Sequence, residues 1–294
     1  MGLAIGLVIF AAVPALAGGL VTIDSHARYP EGPLWRDGSL LYVEYAASNI
    51  KRWDGKKVSV WWHQDHCGAN SLIEFRGHLL VACYDANTLV ELDTSGHELR
   101  TIRTDSSGKP FVGPNDFAAD GRGGVYFSAS GVYDVKAPIT GAVLYISPDG
   151  KITDVADTID YSNGLTLGAD RTHLLVAEML AGRILSFPID VGGTLGERTV
   201  WARLQDLAPP TAHEDAYNGP DGVKLGPDGN YYIAQNGSGR VLVVSQARKL
   251  VRIINVPTPN VTNIAFGPAG AVFITGAFEQ WKPPFPGAVY RWTP

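Results

Sequence analysis

The segment Asp221-Gly222-Val223-Lys224 places an oxygen-bearing side chain and a glycine at the start of a short apolar strand. A similar arrangement, an Asn or Glu followed by a short apolar strand, occurs five more times along the chain. These segments are Glu31-Gly32-Pro33-Leu34-Trp35, Asn70-Ser71-Leu72-Ile73, Asn115-Asp116-Phe117-Ala118, Asn163-Gly164-Leu165-Thr166 and Asn263-Ile264-Ala265-Phe266. A repeat of this kind sets an architecture and also directs six polar side chains, called the corner residues, toward one axis.

The spacing of the corner residues predicts an all-β fold of the propeller type. Successive steps are 39 residues (31 to 70), 45 (70 to 115), 48 (115 to 163), 58 (163 to 221) and 42 (221 to 263). A period of roughly 40 to 50 residues with several short strands per unit is typical of a β-propeller blade. We therefore expect a six-bladed β-propeller with four antiparallel strands in each blade. Two β-sandwiches are the alternative, but they do not explain six similar units.

The last unit lacks one strand, and the N-terminal region can supply it. After the apolar stretches 263–266, 271–275 and 288–292 no further strand follows in the sequence. Residues 20–23 provide the missing fourth strand, so strands from both ends are expected to close the ring in one blade and to leave no free sheet edge. The first strand of each blade is expected to line the central channel, which places the corner residues near one mouth.

Size and composition fit one large domain and exclude one class of partner. The chain has 294 residues, 45% of them hydrophobic, and a formal net charge of −5. Residues 18–294 are predicted to form a single propeller domain. Because no basic run alternates with aromatic residues, nucleic acid is not an expected partner. No sequence pattern predicts the oligomeric state.

Residues 1–17 are almost wholly apolar and are predicted to be a signal peptide. Ala15-Leu16-Ala17 has the small-x-small form of a cleavage site, and the stretch is short for a transmembrane span. We therefore expect a periplasmic or secreted protein with no stable membrane insertion after cleavage. Because the first residues contain no Lys or Arg, an uncleaved apolar anchor or a misassigned start are the alternatives.

Cys67 and Cys83 are the two cysteines of the chain. Export would permit a disulfide between them. The position of Cys83 in an apolar strand is also typical of a buried free thiol, so the sequence leaves both states open.

The corner residues predict a site for a hard metal ion. They are Glu31, Asn70, Asn115, Asn163, Asp221 and Asn263. Two carboxylates and four carboxamides form an all-oxygen set, which suits Ca²⁺ best, with Mg²⁺, Mn²⁺ or Zn²⁺ as substitutes, and argues against a thiolate zinc site. Asn-Gly and Asp-Gly are also ordinary turn formers. The prediction therefore depends on their recurrence at one position of the blade.

These motifs resemble the senescence-marker protein/gluconolactonase/luciferin-regenerating family of six-bladed propellers. The resemblance covers nearly all of the chain after Leu20. Its motifs are Glu31-Gly32-Pro33-Leu34-Trp35, Pro114-Asn115-Asp116, Ser162-Asn163-Gly164-Leu165, Asn218-Gly219-Pro220-Asp221-Gly222 and Val261-Thr262-Asn263-Ile264-Ala265-Phe266-Gly267. One departure bears on substrate specificity, because Phe266-Gly267-Pro268 stands where Phe-Gly-Gly is common.

The resemblance implies that Glu31, Asn163 and Asp221 hold one catalytic divalent cation, usually Ca²⁺. Asn115 would complete the metal shell or contact the substrate. The residues assigned to substrate contacts are Asn70 and Asn263. The implied reaction is the hydrolysis of a small lactone, in which water attacks a carbonyl group that the cation polarises.

Water attack needs a base to accept the proton. Asp221 is the first candidate, because the resemblance implies that this carboxylate is both ligand and base, and Asp116 is the second. Direct attack by the carboxylate on the substrate is an alternative. The stretch Ser128-Ala129-Ser130-Gly131 lacks a Gly-x-Ser-x-Gly elbow, which disfavours a serine hydrolase.

Three functions are compatible with such a site: a Ca²⁺-dependent lactonase, an organophosphate or aryl-ester hydrolase with the same metal, and a non-catalytic Ca²⁺-binding interaction module. Pocket polarity distinguishes the first two. A polar pocket favours sugar lactones, whereas an aromatic pocket favours aryl esters or hydrophobic lactones. Trp281, in a proline-rich loop, is expected to be exposed and able to cover a bound substrate.

Overall fold

The structure is a computed structural model that describes residues 19–211 and 215–294. The predicted signal peptide, residues 1–17, lies outside these ranges. The described residues form 24 strands in six four-stranded antiparallel sheets, which confirms the predicted all-β six-bladed propeller. In these ranges no helix has the length and apolar character needed to cross a membrane.

The first strand, β1 (Gly19–Arg28), belongs to the last blade, and blades 1 to 3 follow it in chain order. Blade 1 consists of β2 (Pro30–Arg36), β3 (Ser39–Glu44), β4 (Asn49–Trp53) and β5 (Val58–His63). Blade 2 consists of β6 (Ala69–Phe75), β7 (His78–Cys83), β8 (Thr88–Leu92) and β9 (Glu98–Ile102). Blade 3 consists of β10 (Pro114–Ala119), β11 (Val125–Ala129), β12 (Gly141–Ile146) and β13 (Ile152–Ile159).

Blades 4 to 6 repeat the same order of strands. Blade 4 consists of β14 (Ser162–Leu167), β15 (His173–Glu178), β16 (Arg183–Pro188) and β17 (Thr199–Arg203). A short helix, α1 (Leu204–Leu207), follows it. Blade 5 consists of β18 (Pro220–Leu225), β19 (Tyr231–Gln235), β20 (Arg240–Val244) and β21 (Leu250–Asn255). Blade 6 consists of β22 (Asn260–Phe266), β23 (Val272–Ala277), β24 (Pro286–Thr293) and β1.

The ring closes in blade 6, where β1 pairs antiparallel with β24. Leu20 lies opposite Trp292, and Thr22 lies opposite Tyr290, so the predicted closure by the two ends of the domain is confirmed. Around the axis, the first strand of each blade contacts the first strand of the next, from β2 through β6, β10, β14, β18 and β22 back to β2. The first strands therefore surround the channel.

Within the described ranges the hydrophobic core is divided into six clusters, one at each interface between adjacent blades. Phe75 and Phe127, for example, join blades 2 and 3, and Trp201 and Ile233 join blades 4 and 5. Because the central strands of each blade are buried on both faces, they consist of nearly continuous apolar residues. This packing fixes the position of the inner strands that carry the corner residues.

All six inner strands are irregular at the corner motif, where the pairing register shifts. In blade 4 the pairing is interrupted between Ser162 and Leu165, so that Asn163 and Gly164 lack ladder partners. A bulge of this kind bends the strand and redirects its side chains. The corner motifs are therefore strand bulges at the channel, and their Asn-Gly and Asp-Gly pairs are not ordinary turns.

The glycine that follows a corner residue allows adjacent inner strands to approach closely. A Cβ atom at Gly32 would overlap Ser71 of the next blade, and one at Gly164 would overlap the backbone of Asp221 and Val223. Glycine is used where two backbones must come this near. The close approach brings the corner residues of neighbouring blades together around the channel axis.

Gly164→Ala is expected to destabilise the protein by about 3 kcal/mol, because the added methyl group would displace the backbone that carries Asp221. Urea denaturation of the purified variant measures this change. Gly19→Ala is the matched control, since a Cβ atom at Gly19 meets no atom of the described residues within 4 Å. Equal stability of the two variants would contradict the close approach of the inner strands.

Cys67 and Cys83 form a disulfide, which decides between the two states that the sequence left open. The bond joins the segment before β6 to the end of β7, and so lies beside Asn70 and Tyr84. Disulfides persist in oxidising compartments, which agrees with the predicted export. Export itself stays a prediction.

Candidate active site

Five corner residues line one cavity at the end of the channel where the inner strands begin. The cavity has a volume of about 260 Å³, which is close to the lower limit of about 300 Å³ for ligand pockets. The five residues are Glu31, Asn70, Asn115, Asn163 and Asp221. All of them are buried, with exposed fractions between 3% and 7%. The repeat thus brings oxygen-bearing side chains from five blades to one site.

The sixth corner is shifted by one residue relative to the others. In blade 6 the residues inside the register shift are Thr262 and Asn263, so Thr262 occupies the position that Asn163 holds in blade 4. The hydroxyl group of Thr262 donates to the carbonyl group of Pro30 at 2.7 Å. Asn263, predicted to contact the substrate, lines a different cavity at the opposite end of the channel.

Asp116 occupies the position in blade 3 that corresponds to Asn263 and also lines the opposite cavity. Its Oδ1 accepts the backbone N–H of Phe117 at 2.8 Å, just as Oδ1 of Asn263 accepts the backbone N–H of Ile264 at 2.8 Å. Its Oδ2 accepts the ammonium group of Lys224 at 2.7 Å. The structure therefore places this predicted base in an ion pair inside the channel.

Glu31 and Asp221 are two buried carboxyl groups without a cationic partner among the residues that line their cavity. Burial raises the pKa of Glu31, and the negative charge of Asp221 raises it further. Burial also raises the pKa of Asp221. The described residues that line the cavity include no Lys, Arg or His. A pair of desolvated carboxylates favours the binding of a cation.

Unpaired oxygen atoms accompany these carboxylates. Oδ1 of Asn163 and Oδ1 of Asp221 are buried and accept no hydrogen bond from the described residues, which is rare for buried polar atoms. Nδ2 of Asn163 donates to the sulfur of Met179 at 3.3 Å, which leaves the amide oxygen available. Across the described ranges no three His, Cys, Asp or Glu side chains form a metal-binding group, so amide oxygens would have to share in ligation. Such an oxygen donor set fits Ca²⁺.

Comparison with protein families matches residues 29–278 to the SMP-30/Gluconolactonase/LRE-like region. The chain belongs to this family. Regucalcin from Xenopus laevis is 24% identical over 282 residues, which cover 90% of each protein. Lactonase drp35 from Staphylococcus saprophyticus is 31% identical over 232 residues, which cover 76% of this chain and 68% of that protein.

Several solved structures have the same fold as this chain. A luciferin-regenerating enzyme has a TM-score of 0.77 and 18% identity, covering 95% of this chain and 96% of that one. A gluconolactonase from Xanthomonas campestris has a TM-score of 0.75 and 20% identity, covering 93% and 89%. Regucalcin from Agrobacterium tumefaciens, described as a calcium-binding protein, has a TM-score of 0.72 and 18% identity, covering 92% of each chain. At these identities the similarity establishes the fold alone.

Asn236 belongs to the candidate site, although no pattern in the sequence indicated it. It is fully buried after β19, and its Nδ2 donates to Oδ2 of Asp221 at 3.1 Å. Its own Oδ1 accepts the side-chain N–H of Asn218 at 3.1 Å, so two successive amides fix the orientation of the carboxylate. In the sequence Asn236-Gly237 reads as a turn, and no repeat marks it.

Seven aromatic side chains, here called the aromatic collar, form most of the remaining wall of the cavity, together with Met179 and Gln280. The seven are Tyr29, Tyr45, Tyr84, Tyr133, Tyr161, Trp281 and Phe285. The sequence identified only Trp281, which is 52% exposed as expected. Tyr29 and Tyr161 each precede a corner residue by two positions, a regularity that could have identified them. The other members lie outside the repeated motifs.

Proposed function

We propose that this protein is a lactonase that depends on a divalent cation, with Ca²⁺ as the preferred ion. The proposal rests on the buried carboxyl groups of Glu31 and Asp221, which share one cavity with unpaired oxygen atoms. Its relatives support the reaction, since the names lactonase drp35 and gluconolactonase denote lactone hydrolysis. The calcium-binding regucalcin of the same fold supports the choice of ion.

Glu31, Asn163 and Asp221 would hold the cation, with Asn115 as a fourth ligand or a substrate contact. When bound, Ca²⁺ would polarise the lactone carbonyl group and stabilise the oxyanion that forms on water attack. Ca²⁺ accepts six to eight oxygen ligands, so four protein ligands leave positions for water and substrate.

Asp221 is the group we assign to proton transfer, and Asn236 orients it through the hydrogen bond of 3.1 Å. The water oxygen bonds to the carbonyl carbon as its proton passes to Asp221. The bond between that carbon and the ring oxygen then breaks, and the proton passes to the departing oxygen. Asp116, the second candidate, is paired with Lys224, and we assign it to support of the channel. Asn70 lines the same cavity and offers its amide group to the substrate.

The cavity bears on the two alternative functions in different ways. An organophosphate or aryl-ester hydrolase would use the same residues for metal binding and would differ from a lactonase in its substrate. A structural metal site needs no ligand-sized cavity beside its carboxylates, and this one adjoins about 260 Å³. The geometry therefore favours catalysis over a non-catalytic interaction module.

Hydrolysis of six-membered lactones by the purified protein is expected to fall at least about a hundredfold after chelation and to return on addition of Ca²⁺. A pH-indicator assay with a panel of lactones, aryl esters and an aryl phosphotriester measures this. Turnover that persists unchanged after chelation would rule out the metal-dependent reaction. If the protein hydrolyses the phosphotriester but none of the lactones, the result would favour an organophosphate hydrolase.

A further inference from the structure

The aromatic collar is nearly continuous around the cavity. Neighbouring ring centroids lie 4.7 to 6.5 Å apart, within the range of favourable aromatic pairs. The pairs are Tyr29–Phe285 (6.4 Å), Tyr29–Tyr45 (5.8 Å), Tyr45–Tyr84 (6.1 Å), Tyr84–Tyr161 (6.5 Å), Tyr161–Tyr133 (4.7 Å) and Tyr133–Trp281 (5.8 Å). Each ring is thus held by its neighbours, and the wall that faces a ligand consists largely of ring surface.

The hydroxyl groups of the collar are mostly committed to protein partners. Four of the five tyrosines donate their hydroxyl hydrogen to another protein group. These bonds are Tyr45 to Oδ1 of Asp85 (2.9 Å), Tyr84 to the carbonyl group of Gly131 (3.4 Å), Tyr133 to the carbonyl group of Tyr217 (2.7 Å) and Tyr161 to the hydroxyl group of Tyr84 (3.1 Å). The collar therefore offers a ligand apolar contact and few free hydrogen-bond donors.

Few other polar groups in the cavity remain for a substrate. Once the proposed metal ligands and the tyrosines of the collar are set aside, the polar side chains among its described lining residues are Asn70 and Gln280. Oε1 of Gln280 is buried without a hydrogen-bond partner in the described ranges, so it can accept one hydrogen bond. A sugar lactone carries hydroxyl groups on most of its ring carbons, and each buried hydroxyl group needs a partner. Two amide side chains are too few for such a ligand when four of the five tyrosine hydroxyl groups already donate to protein partners.

Two tyrosines of the collar occupy a backbone position that glycine fills in other blades. The residue two positions before the corner has a left-handed conformation in four blades, with φ of 49° at Tyr29, 57° at Gly68, 61° at Gly113 and 60° at Tyr161. Glycine adopts this conformation readily, whereas other residues adopt it at a cost. In blades 1 and 4 a tyrosine occupies this position. This conformation places both rings at the channel mouth, directly before the corner motif of their blades.

We propose that the preferred substrate is a lactone that carries or is fused to an aromatic ring, and that polyhydroxylated sugar lactones are poor substrates. This inference rests on the proposed lactonase function. The planar ring would contact Tyr133, Tyr161 and Trp281. The lactone carbonyl group would lie at the cation site formed by Glu31 and Asp221. A cavity of about 260 Å³ is small, which favours a compact bicyclic ligand.

Three six-membered lactones test the inference with the Ca²⁺-loaded protein. They are 3-isochromanone, which has a fused benzene ring, δ-valerolactone, which lacks it, and glucono-1,5-lactone, which carries hydroxyl groups. All three release an alkyl alcohol, so the comparison reports mainly on recognition. We expect kcat/KM for 3-isochromanone, corrected for the uncatalysed rate, to exceed both others at least about tenfold. A sugar lactone that equals or exceeds it would overturn the substrate class and leave the lactonase function standing. No turnover of any of the three would overturn both.

Variants of the collar identify the rings responsible for the preference. Trp281→Leu and Tyr133→Leu are expected to reduce the ratio of kcat/KM for 3-isochromanone to that for δ-valerolactone at least about threefold. Because Trp281 is half exposed, its replacement leaves the core unchanged. The matched control is Trp53→Leu, since Trp53 packs on Phe273 between blades 6 and 1, away from the cavity. An unchanged ratio in both collar variants would contradict recognition by the collar.

Discussion

Asp221→Asn is expected to abolish lactone hydrolysis, with kcat/KM reduced about a thousandfold or more. Asn has nearly the same shape as Asp, so the channel geometry is retained. The substitution removes one of two negative charges from the proposed cation site, and it removes the proposed proton acceptor. It also leaves Glu31 as the single carboxylate among the described residues that line the cavity, so the affinity for Ca²⁺ should fall as well. Steady-state kinetics and calorimetric titration with Ca²⁺ measure the two effects.

The control for this variant is Asp149→Asn, which makes the same change in an exposed Asp-Gly turn and should leave activity within about twofold. At pH 8 the melting temperature of metal-free Asp221→Asn is not expected to fall below that of the wild type, because a neutral amide avoids the burial of a charge and its repulsion with Glu31. Loss of activity with retained stability would separate a role in the reaction from a role in folding. Activity above about a tenth of wild type would overturn the assignment of Asp221.

Most of the fold could be predicted from the sequence because a propeller repeats its local chemistry. Each blade needs the same bulge at the channel and the same short buried strands, so the signal recurs at a recognisable period. The strand β1 was predictable for another reason, since a ring of blades without it would leave the edge of β24 unpaired.

The sixth corner could not be assigned from sequence because a bulge can carry polar residues at either of two successive positions. Asn263 matches the pattern of the other corners, yet the register places Thr262 at the equivalent point. Successive residues of a strand point in opposite directions, so a shift of one position moves a side chain from one cavity to the other. Asp116 illustrates the same rule, since it directly follows Asn115 and lies on the other side of the bulge.

Most of the collar and Asn236 could not be predicted from the sequence, for a different reason. Their side chains meet only when loops from separate blades converge at the channel mouth, and loops carry no periodic constraint. Trp281 and Tyr133 are 148 residues apart (133 to 281) yet their rings stack at 5.8 Å. The repeat thus predicted the polar part of the site, and convergence of loops determined the apolar part, on which the proposed substrate preference depends.

The metal-free protein is expected to become less stable between about pH 4 and pH 8, and Ca²⁺ is expected to remove this loss. Burial raises the pKa of Asp221 to about 8, and it also raises the pKa of Glu31. The unfolded chain releases these protons near pH 4, whereas the folded chain retains them, so stability falls as the pH rises through this window.

Melting curves at pH 5.5 and pH 8, with chelator or with Ca²⁺, measure this effect. In chelator, the melting temperature of both proteins is compared at pH 5.5 and pH 8. The fall for the wild type should be larger by on the order of 5 °C than the fall for Asp221→Asn, which lacks one of the carboxyl groups with a raised pKa. Because the residues outside the cavity are common to both proteins, the difference reports on Asp221 together with its repulsion of Glu31. Ca²⁺ at a hundred times its Kd should stabilise the wild type by about 2.7 kcal/mol at pH 8, and by less at pH 5.5, where protons compete for the same oxygens. A larger effect of Ca²⁺ at the lower pH would contradict binding to these two carboxylates.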